Sequence, residues 1–106
     1  MIHVVAVITA KPGLRAQVLE FFAANRPAVL AEEGCIEYVA TVDAQGMPAS
    51  KGTFGEDSFV VVEKWATAGH HDAYVAWRQT PDGAAALASV LAGPPVTRTF
   101  GRTIEL

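Results

Sequence analysis

The sequence predicts an α+β fold in which two helices cover one face of a four-stranded antiparallel sheet. Segments with strand-like alternation and segments with helical spacing follow one another in the order β, α, β, β, α, β. That order is the split βαβ, or ferredoxin-like, plan. The chain has 106 residues, the length of one domain, so residues 1–106 are predicted to form a single one.

The strands are predicted from β-branched runs and period-two alternation, at residues 2–9, 35–43, 58–65 and 96–106. The third strand is apolar on both faces, with Glu63 as the charged exception on the face that also carries Trp65. An antiparallel sheet with one face in water would alternate more cleanly. We therefore expect the sheet to be covered twice, by its own helices and by the sheet of a partner subunit.

The first helix is predicted after the turn at residues 11–13, because apolar residues recur at helical spacing from Leu14 onward. Pro27 lies inside this pattern, so a kink or a break is expected there. Gly34 is the expected C-terminal cap.

In the second half of the chain, each predicted helix has a threonine as its candidate N-cap. Thr67 can cap a helix over residues 68–78, and Thr80 followed by proline predicts a further helix over residues 84–91. Residues 44–57 are rich in Gly, Ser and Pro and longer than a usual hairpin loop, which makes them a candidate functional loop.

Composition excludes several classes of protein. Apolar residues make up 51% of the chain and charged residues 18%, against about a quarter in typical domains, so a subunit interface is a natural place for the surplus. Without a Lys/Arg cluster or a long apolar run, neither nucleic acid nor a membrane is an expected partner. The start has no signal-peptide pattern and Cys35 is the single cysteine, so a cytoplasmic location is expected.

Three stretches resemble one family along nearly the whole chain. They are VLAEEGC at residues 29–35 followed by Tyr38, the Glu-x-Trp ending of the third strand at Trp65, and residues 70–81 with their Gln-Thr-Pro. Together they resemble antibiotic biosynthesis monooxygenase domains, especially the bacterial quinol monooxygenase branch. The resemblance departs at Tyr74 and Asp82, where the family often has histidine.

The resemblance implies a homodimer whose two sheets face each other, called a dimeric α/β barrel, with a ligand pocket between sheet and helices in each subunit. It implies oxygenation of quinols, anthrones or similar electron-rich aromatics by O2 without flavin, metal or another cofactor. Two alternatives stay open: a non-catalytic small-ligand-binding or regulatory dimer, because fold does not fix function, and a haem-binding or haem-degrading relative. The departures at Tyr74 and Asp82 count most against the haem alternative.

One helix face carries candidate site residues. His70, Tyr74 and Trp77 have the i, i+4, i+7 spacing of a shared face, and Trp65 lies a short turn before the helix. Such a set suits a flat aromatic ligand, with rings for stacking and polar tips for orientation, although ordinary packing explains it equally. The predicted substrate-binding residues are Trp65, Trp77, Tyr38 and Phe22.

The candidate general base is His70 or His71. The two point about 100° apart on a helix, so one of them at most can face a pocket easily, and a solvated pair is the alternative. Tyr74 would hydrogen-bond the substrate's phenolate, while the tryptophans would form a cage around its ring. Three histidines without a ligand-like cluster predict no metal site.

Two further residues are assigned structural roles. Glu63 is predicted to form a salt bridge with Arg98 or Arg102 of the last strand rather than to act in catalysis, since an unpaired buried carboxylate is costly. Cys35 is interpreted as a small buried hydrophobe rather than a nucleophile.

Overall fold

The computed structural model describes residues 1–83 and 85–106 and confirms the predicted order of elements. The strands and helices are β1 (Ile2–Thr9), α1 (Arg15–Leu30), β2 (Cys35–Thr41), β3 (Ser58–Trp65), α2 (Ala68–Arg78) and β4 (Val96–Phe100). Two short 3-10 segments, Ala49–Lys51 and Ala85–Ser89, lie in the connections. The strands form one sheet in the order β2-β3-β1-β4, with every neighbouring pair antiparallel.

The inner face of the sheet carries the core. Burial alternates along β1 and β3, and the register places Val4 opposite Glu63 and Ile8 opposite Phe59 on the buried side. Helices α1 and α2 cover this side, contributing Phe22 among other buried residues. The period-two pattern in the sequence therefore corresponds to one face turned toward the helices.

The outer face of the sheet is also mostly apolar, as the sequence predicts for β3. It carries the half-buried valines of the two central strands, Val5, Val7, Val60 and Val62. The edge strand β4 adds Val96 and Phe100, which are 52% and 53% exposed in the single chain. Apolar surface of this kind marks a site of association.

Helix α1 does not end at Pro27, so, of the kink or break predicted there, the break is wrong. The helix continues to Leu30, with Ala31 as its C-cap. The reason is tertiary packing: Val29 is buried on the sheet, and the Arg26 Nε atom donates a 2.8 Å hydrogen bond to the Tyr38 carbonyl of β2. Gly34 is not the cap. It takes a left-handed backbone conformation (φ +82°) in the turn that leads into β2.

Three predicted elements also differ from the structure. β2 and β4 are the edge strands, and they stop at Thr41 and Phe100 rather than at 43 and 106. Phe100 pairs with His3, next to the start of β1, so later residues have no strand to pair with. The helix expected over 84–91 is a 3-10 helix over Ala85–Ser89, and residue 84 lies outside the described residues.

The loop of residues 44–57 is closed by a carboxylate. Asp43 Oδ2 accepts hydrogen bonds from the backbone N–H groups of Phe54 (3.1 Å) and Gly55 (2.8 Å). These bonds lower the pKa of the Asp43 carboxyl. No residue of the loop lines the cavities described below. None of the described helices is both long and apolar enough to cross a membrane.

Candidate active site

A cavity of about 820 Å³ lies between the inner face of the sheet, helix α2 and the segment that precedes β4. Its walls are mostly apolar, with Ile8 from β1 and Phe22 from α1 on one side and Leu87 on the other. Its polar side chains are those of Glu63, His71, Arg78, Gln79 and Thr97. A large apolar space with a few converging polar groups is the usual form of a small-molecule site.

The outer wall of this cavity is attached to the end of β1 by its backbone. Ala10 and Leu91 form an isolated antiparallel bridge. The Lys11 N–H donates to the Val90 carbonyl (2.9 Å), and the Ala92 N–H donates to the Thr9 carbonyl (2.8 Å). Main-chain bonds at this point hold the wall at a fixed distance from the sheet.

Glu63 is a buried carboxylate, 2% exposed, on the inner face of β3. The Trp65 indole Nε1–H donates a 2.9 Å hydrogen bond to its Oε1 atom, and His71 Nε2 lies 3.8 Å from the same oxygen. Burial raises the pKa of the Glu63 carboxyl, while the indole bond and the Arg78 guanidinium oppose that shift. The predicted salt bridge to Arg98 is wrong, because Arg98 pairs with Val5 and points to the outer face.

The other predicted partner of Glu63, Arg102, is also excluded. It lies beyond the end of β4 and is exposed. The positive charge that acts on the Glu63 carboxylate is instead the guanidinium of Arg78 on α2, which lines the same cavity.

The structure separates the two adjacent histidines. His71 is buried, lines the large cavity and lies with its ring centroid 5.6 Å from that of Trp65. Its pKa is lowered because burial disfavours the imidazolium, with Arg78 acting in the same direction and Asp72 against it. His71 therefore stays neutral, and able to accept a proton, below the pH at which a free imidazole becomes charged.

His70 lies on the other side of the helix, over the turn before β2. Its Nδ1 atom is 2.9 Å from the Thr67 hydroxyl, and its Nε2 atom is 3.6 Å from the Glu33 carboxylate. The ring also packs closely against Gly34. Thr67 caps α2 as predicted, because its hydroxyl accepts the His70 backbone N–H at 3.1 Å.

The predicted aromatic residues come together beside the large cavity. Tyr74 stacks between Trp65 (5.1 Å between centroids) and Trp77 (6.4 Å), and its hydroxyl is 3.2 Å from that of Tyr38. Tyr38, Tyr74, Trp77 and Phe22 line a second cavity of about 20 Å³, about the size of one water molecule. Burial raises the pKa of both phenols, so both are neutral.

Trp65 lines neither of these cavities. It is fully buried and forms the floor under Tyr74 and His71. Of the residues predicted from the sequence, His71 and Phe22 therefore line the large cavity, and Phe22 lines both.

Arg78 is the cavity residue that the sequence interpretation missed. Its guanidinium lies over the rings of Phe22 (5.9 Å) and Tyr74 (5.6 Å), and it lines both cavities. The sequence contains the signal: His71, Val75 and Arg78 also have the i, i+4, i+7 spacing, one residue around the helix from His70, Tyr74 and Trp77.

Metal and thiol chemistry receive no support from the described part of the chain. Its His, Cys, Asp and Glu side chains form no group of three that could hold a metal ion. Cys35 is half-buried, and burial raises the pKa of its thiol, which disfavours the reactive thiolate.

Relative to the wild type, the Glu63→Gln variant is expected to become more stable as the pH rises from 5 to 8. Because the folded pKa of Glu63 is raised, its stabilising contribution is complete below the unfolded pKa and is lost as the pH rises through the folded pKa. Glutamine does not titrate and can still accept the Trp65 indole bond. Urea unfolding at pH 5, 6.5 and 8 measures the trend. The control is Glu37→Gln, an exposed carboxylate 3.3 Å from Lys64, and equal trends in both variants would contradict the prediction.

Comparison with known proteins identifies the family of the chain. Residues 1–89 match the family model described as antibiotic biosynthesis monooxygenase. The chain is 40% identical over 84 residues to the Escherichia coli (strain K12) protein named probable quinol monooxygenase YgiN, and the match covers 76% of each chain. The chain belongs to the antibiotic biosynthesis monooxygenase family.

Solved structures show the same fold. A Deinococcus radiodurans protein described under the same family name superposes with a TM-score of 0.74 at 17% identity, covering 100% of this chain and 98% of that one. A conserved protein from Methanosarcina mazei superposes with a TM-score of 0.76 at 19% identity, covering 96% and 92%. These neighbours confirm the ferredoxin-like α+β fold.

Proposed function

We propose that this protein is a cofactor-independent monooxygenase that oxidises a quinol, anthrone or similar electron-rich aromatic with O2 in the large cavity. The observation that carries the proposal is the meeting of a buried neutral histidine, a buried carboxylate and a guanidinium in a cavity of about 820 Å³ with otherwise mostly apolar walls. Family membership and the likeness to a protein named as a quinol monooxygenase support it.

The reaction needs a base and a dry, shaped site. Loss of the acidic proton gives an anion electron-rich enough to pass one electron to O2, and the resulting radical and superoxide combine to a hydroperoxide. Loss of water then leaves a new carbonyl, so that an anthrone CH2 and O2 yield C=O and H2O, and a quinol and O2 yield a hydroxyquinone and H2O. Positioning and water exclusion favour recombination inside the cavity.

His71 is the proposed base in this scheme. Its Nε2 atom faces Glu63, which leaves Nδ1 for the substrate. The carboxylate would stabilise the imidazolium once it forms. Arg78 would stabilise the substrate anion, because its guanidinium keeps its charge and lies beside the same cavity.

The aromatic residues are proposed to shape the site. Phe22 would contact the substrate ring in the large cavity. Tyr38, Tyr74, Trp65 and Trp77 would form the stacked layer behind it, which fixes the positions of His71 and Arg78. Tyr74 has the Tyr38 hydroxyl as its partner, so contact of Tyr74 with substrate requires the smaller cavity to widen.

We also propose that the protein works as a homodimer in the cytoplasm. The outer face of the sheet, centred on Val5, Val62 and Phe100, is the apolar surface that a second sheet would cover. The single free cysteine, Cys35, suits a reducing compartment. Light scattering tests the dimer.

Oxygen uptake by the chelator-treated protein with a panel of quinols and anthrones tests the activity. We expect protein-dependent uptake of one O2 per substrate. Because the pKa of His71 is lowered, the rate should fall on acidification only below pH 6.5, as the folded pKa is passed. Uptake no faster than autoxidation across the panel would contradict the proposal and favour a ligand-binding dimer without catalysis.

A further inference from the structure

We propose that the natural substrate is a quinol that carries an apolar side chain, alkyl or isoprenoid, rather than a bare ring. The inference rests on the proposed function and adds the substrate class. It comes from the way polar and apolar groups are distributed along the large cavity.

One end of the cavity is polar. Glu63 and His71 lie there, beside the end of β3 that carries Trp65. Glu63 pairs with Val4, whereas Ile8 lies four residues farther along β1, which corresponds to about 13 Å along the strand. A quinol whose hydroxyl reaches His71 thus has its ring near this end, and a bare two-ring quinol is shorter than the distance to Ile8.

The opposite end is lined by apolar side chains. It is formed by Ile8, Leu91, Ala92, Pro94 and Pro95. The N–H groups of Leu91 and Ala92 are already bonded to the carbonyls of Leu87 and Thr9, and prolines have no N–H. Hydrogen-bond donors for a polar ligand are therefore few at this end, and the Thr97 hydroxyl of β4 is the polar side-chain group on that strand that lines the cavity. An apolar group that displaces water from this end is favoured.

The dimensions of the cavity suit such a ligand. Its volume of about 820 Å³ lies in the upper part of the range for drug-sized ligands, about 300–1,000 Å³. The apolar end is also the open end, since Ala92 and Pro94 are exposed. The apolar substituent of the quinol would extend from the ring at the polar end, past Ile8 and Leu91, toward this opening.

The test uses oxidised probes, so that binding is measured without turnover. The dissociation constants of 2-methyl-1,4-naphthoquinone and of the same ring with a five-carbon prenyl group are compared by calorimetry. Each methylene that is removed from water contributes about fourfold in affinity when fully buried. We expect the prenylated probe to bind at least about tenfold more tightly.

Two variants locate the effect. Ala92→Leu narrows the apolar end, so it should remove the advantage of the prenylated probe and leave the affinity of the bare ring unchanged. Ala88→Leu provides a second narrowing of the same cavity. Ala76→Leu, on the exposed side of α2, is the matched control and should change neither affinity.

The outcomes separate this inference from the proposed function. Equal affinities for the two probes, or a parallel loss of both in Ala92→Leu, would overturn the inference. If bare quinols are oxidised and the prenyl group gives no gain, the inference alone fails. If neither probe binds and no quinol is oxidised, the proposed function fails with it.

Discussion

Replacing Gly34 with alanine is expected to lower the free energy of unfolding by about 3 kcal/mol, as the sum of a backbone and a packing cost. The backbone at Gly34 has φ +82°, a conformation that alanine adopts only at a cost. A Cβ there would also lie 2.3 Å from His70 Nδ1 and 2.7 Å from His70 Cβ. Because the His70 Cβ is fixed to the helix, rotation of the ring alone cannot relieve the overlap.

Gly13→Ala is the matched control for the backbone cost. Gly13 has almost the same φ, +78°, but an added Cβ there would meet nothing within 4 Å. It should therefore cost about 1 kcal/mol, and the difference between the two variants measures the packing of His70. Urea unfolding followed by circular dichroism gives both values, and equal losses would refute the account.

The same turn explains how helix α2 is oriented. The Ala66 N–H donates a 2.7 Å hydrogen bond to the Gly34 carbonyl, just before the Thr67 cap. The start of α2 is thus held against the β2 turn, with His70 above Gly34 and His71 turned toward the sheet. A histidine with a structural role fixes the direction of the adjacent one.

The sequence predicts most accurately those elements whose limits are set locally. The bounds of β1, β3 and α2 agree residue for residue, because alternation and the Thr67 cap are local signals. The end of β4 depends on where β1 begins, and the persistence of α1 beyond Pro27 depends on burial against the sheet. Neither is visible in a local pattern.

The candidate site likewise combines features that a local pattern predicts with features that tertiary packing sets. The sequence indicates the helix that lines the large cavity, but the rotation of this helix about its own axis follows from tertiary contacts, namely the packing of His70 on the Gly34 turn and the stacking of Tyr74 on Trp65. That rotation places Arg78, rather than Trp77, in the large cavity. Likewise, the partner of Glu63 could not be predicted from alternation alone, because the two faces of the edge strand β4 are assigned by its register with β1.

His71→Gln is expected to lower the turnover rate of quinol oxidation by about 10²- to 10⁴-fold, the usual contribution of a positioned base. Glutamine can occupy much of the same space between Trp65 and the cavity but cannot accept the substrate proton. His70→Gln, one residue away, is the matched control. Its ring contacts Thr67 and the Gly34 turn instead of the cavity, so its rate should change less than about threefold.

Oxygen uptake under quinol saturation measures both variants, with unfolding curves to confirm that each is folded. The pH profile provides a second criterion, since Glu63 Oε1 lies 3.8 Å from His71 Nε2. In Glu63→Gln the rate at pH 8 should fall, because the imidazolium that forms during turnover loses the neighbouring carboxylate. The loss should become smaller as the pH falls, since burial raises the pKa of Glu63 and the wild-type carboxyl is then increasingly protonated. If His70→Gln abolished uptake while His71→Gln preserved it, the base would lie on the opposite side of α2 and the cavity would not be the active site.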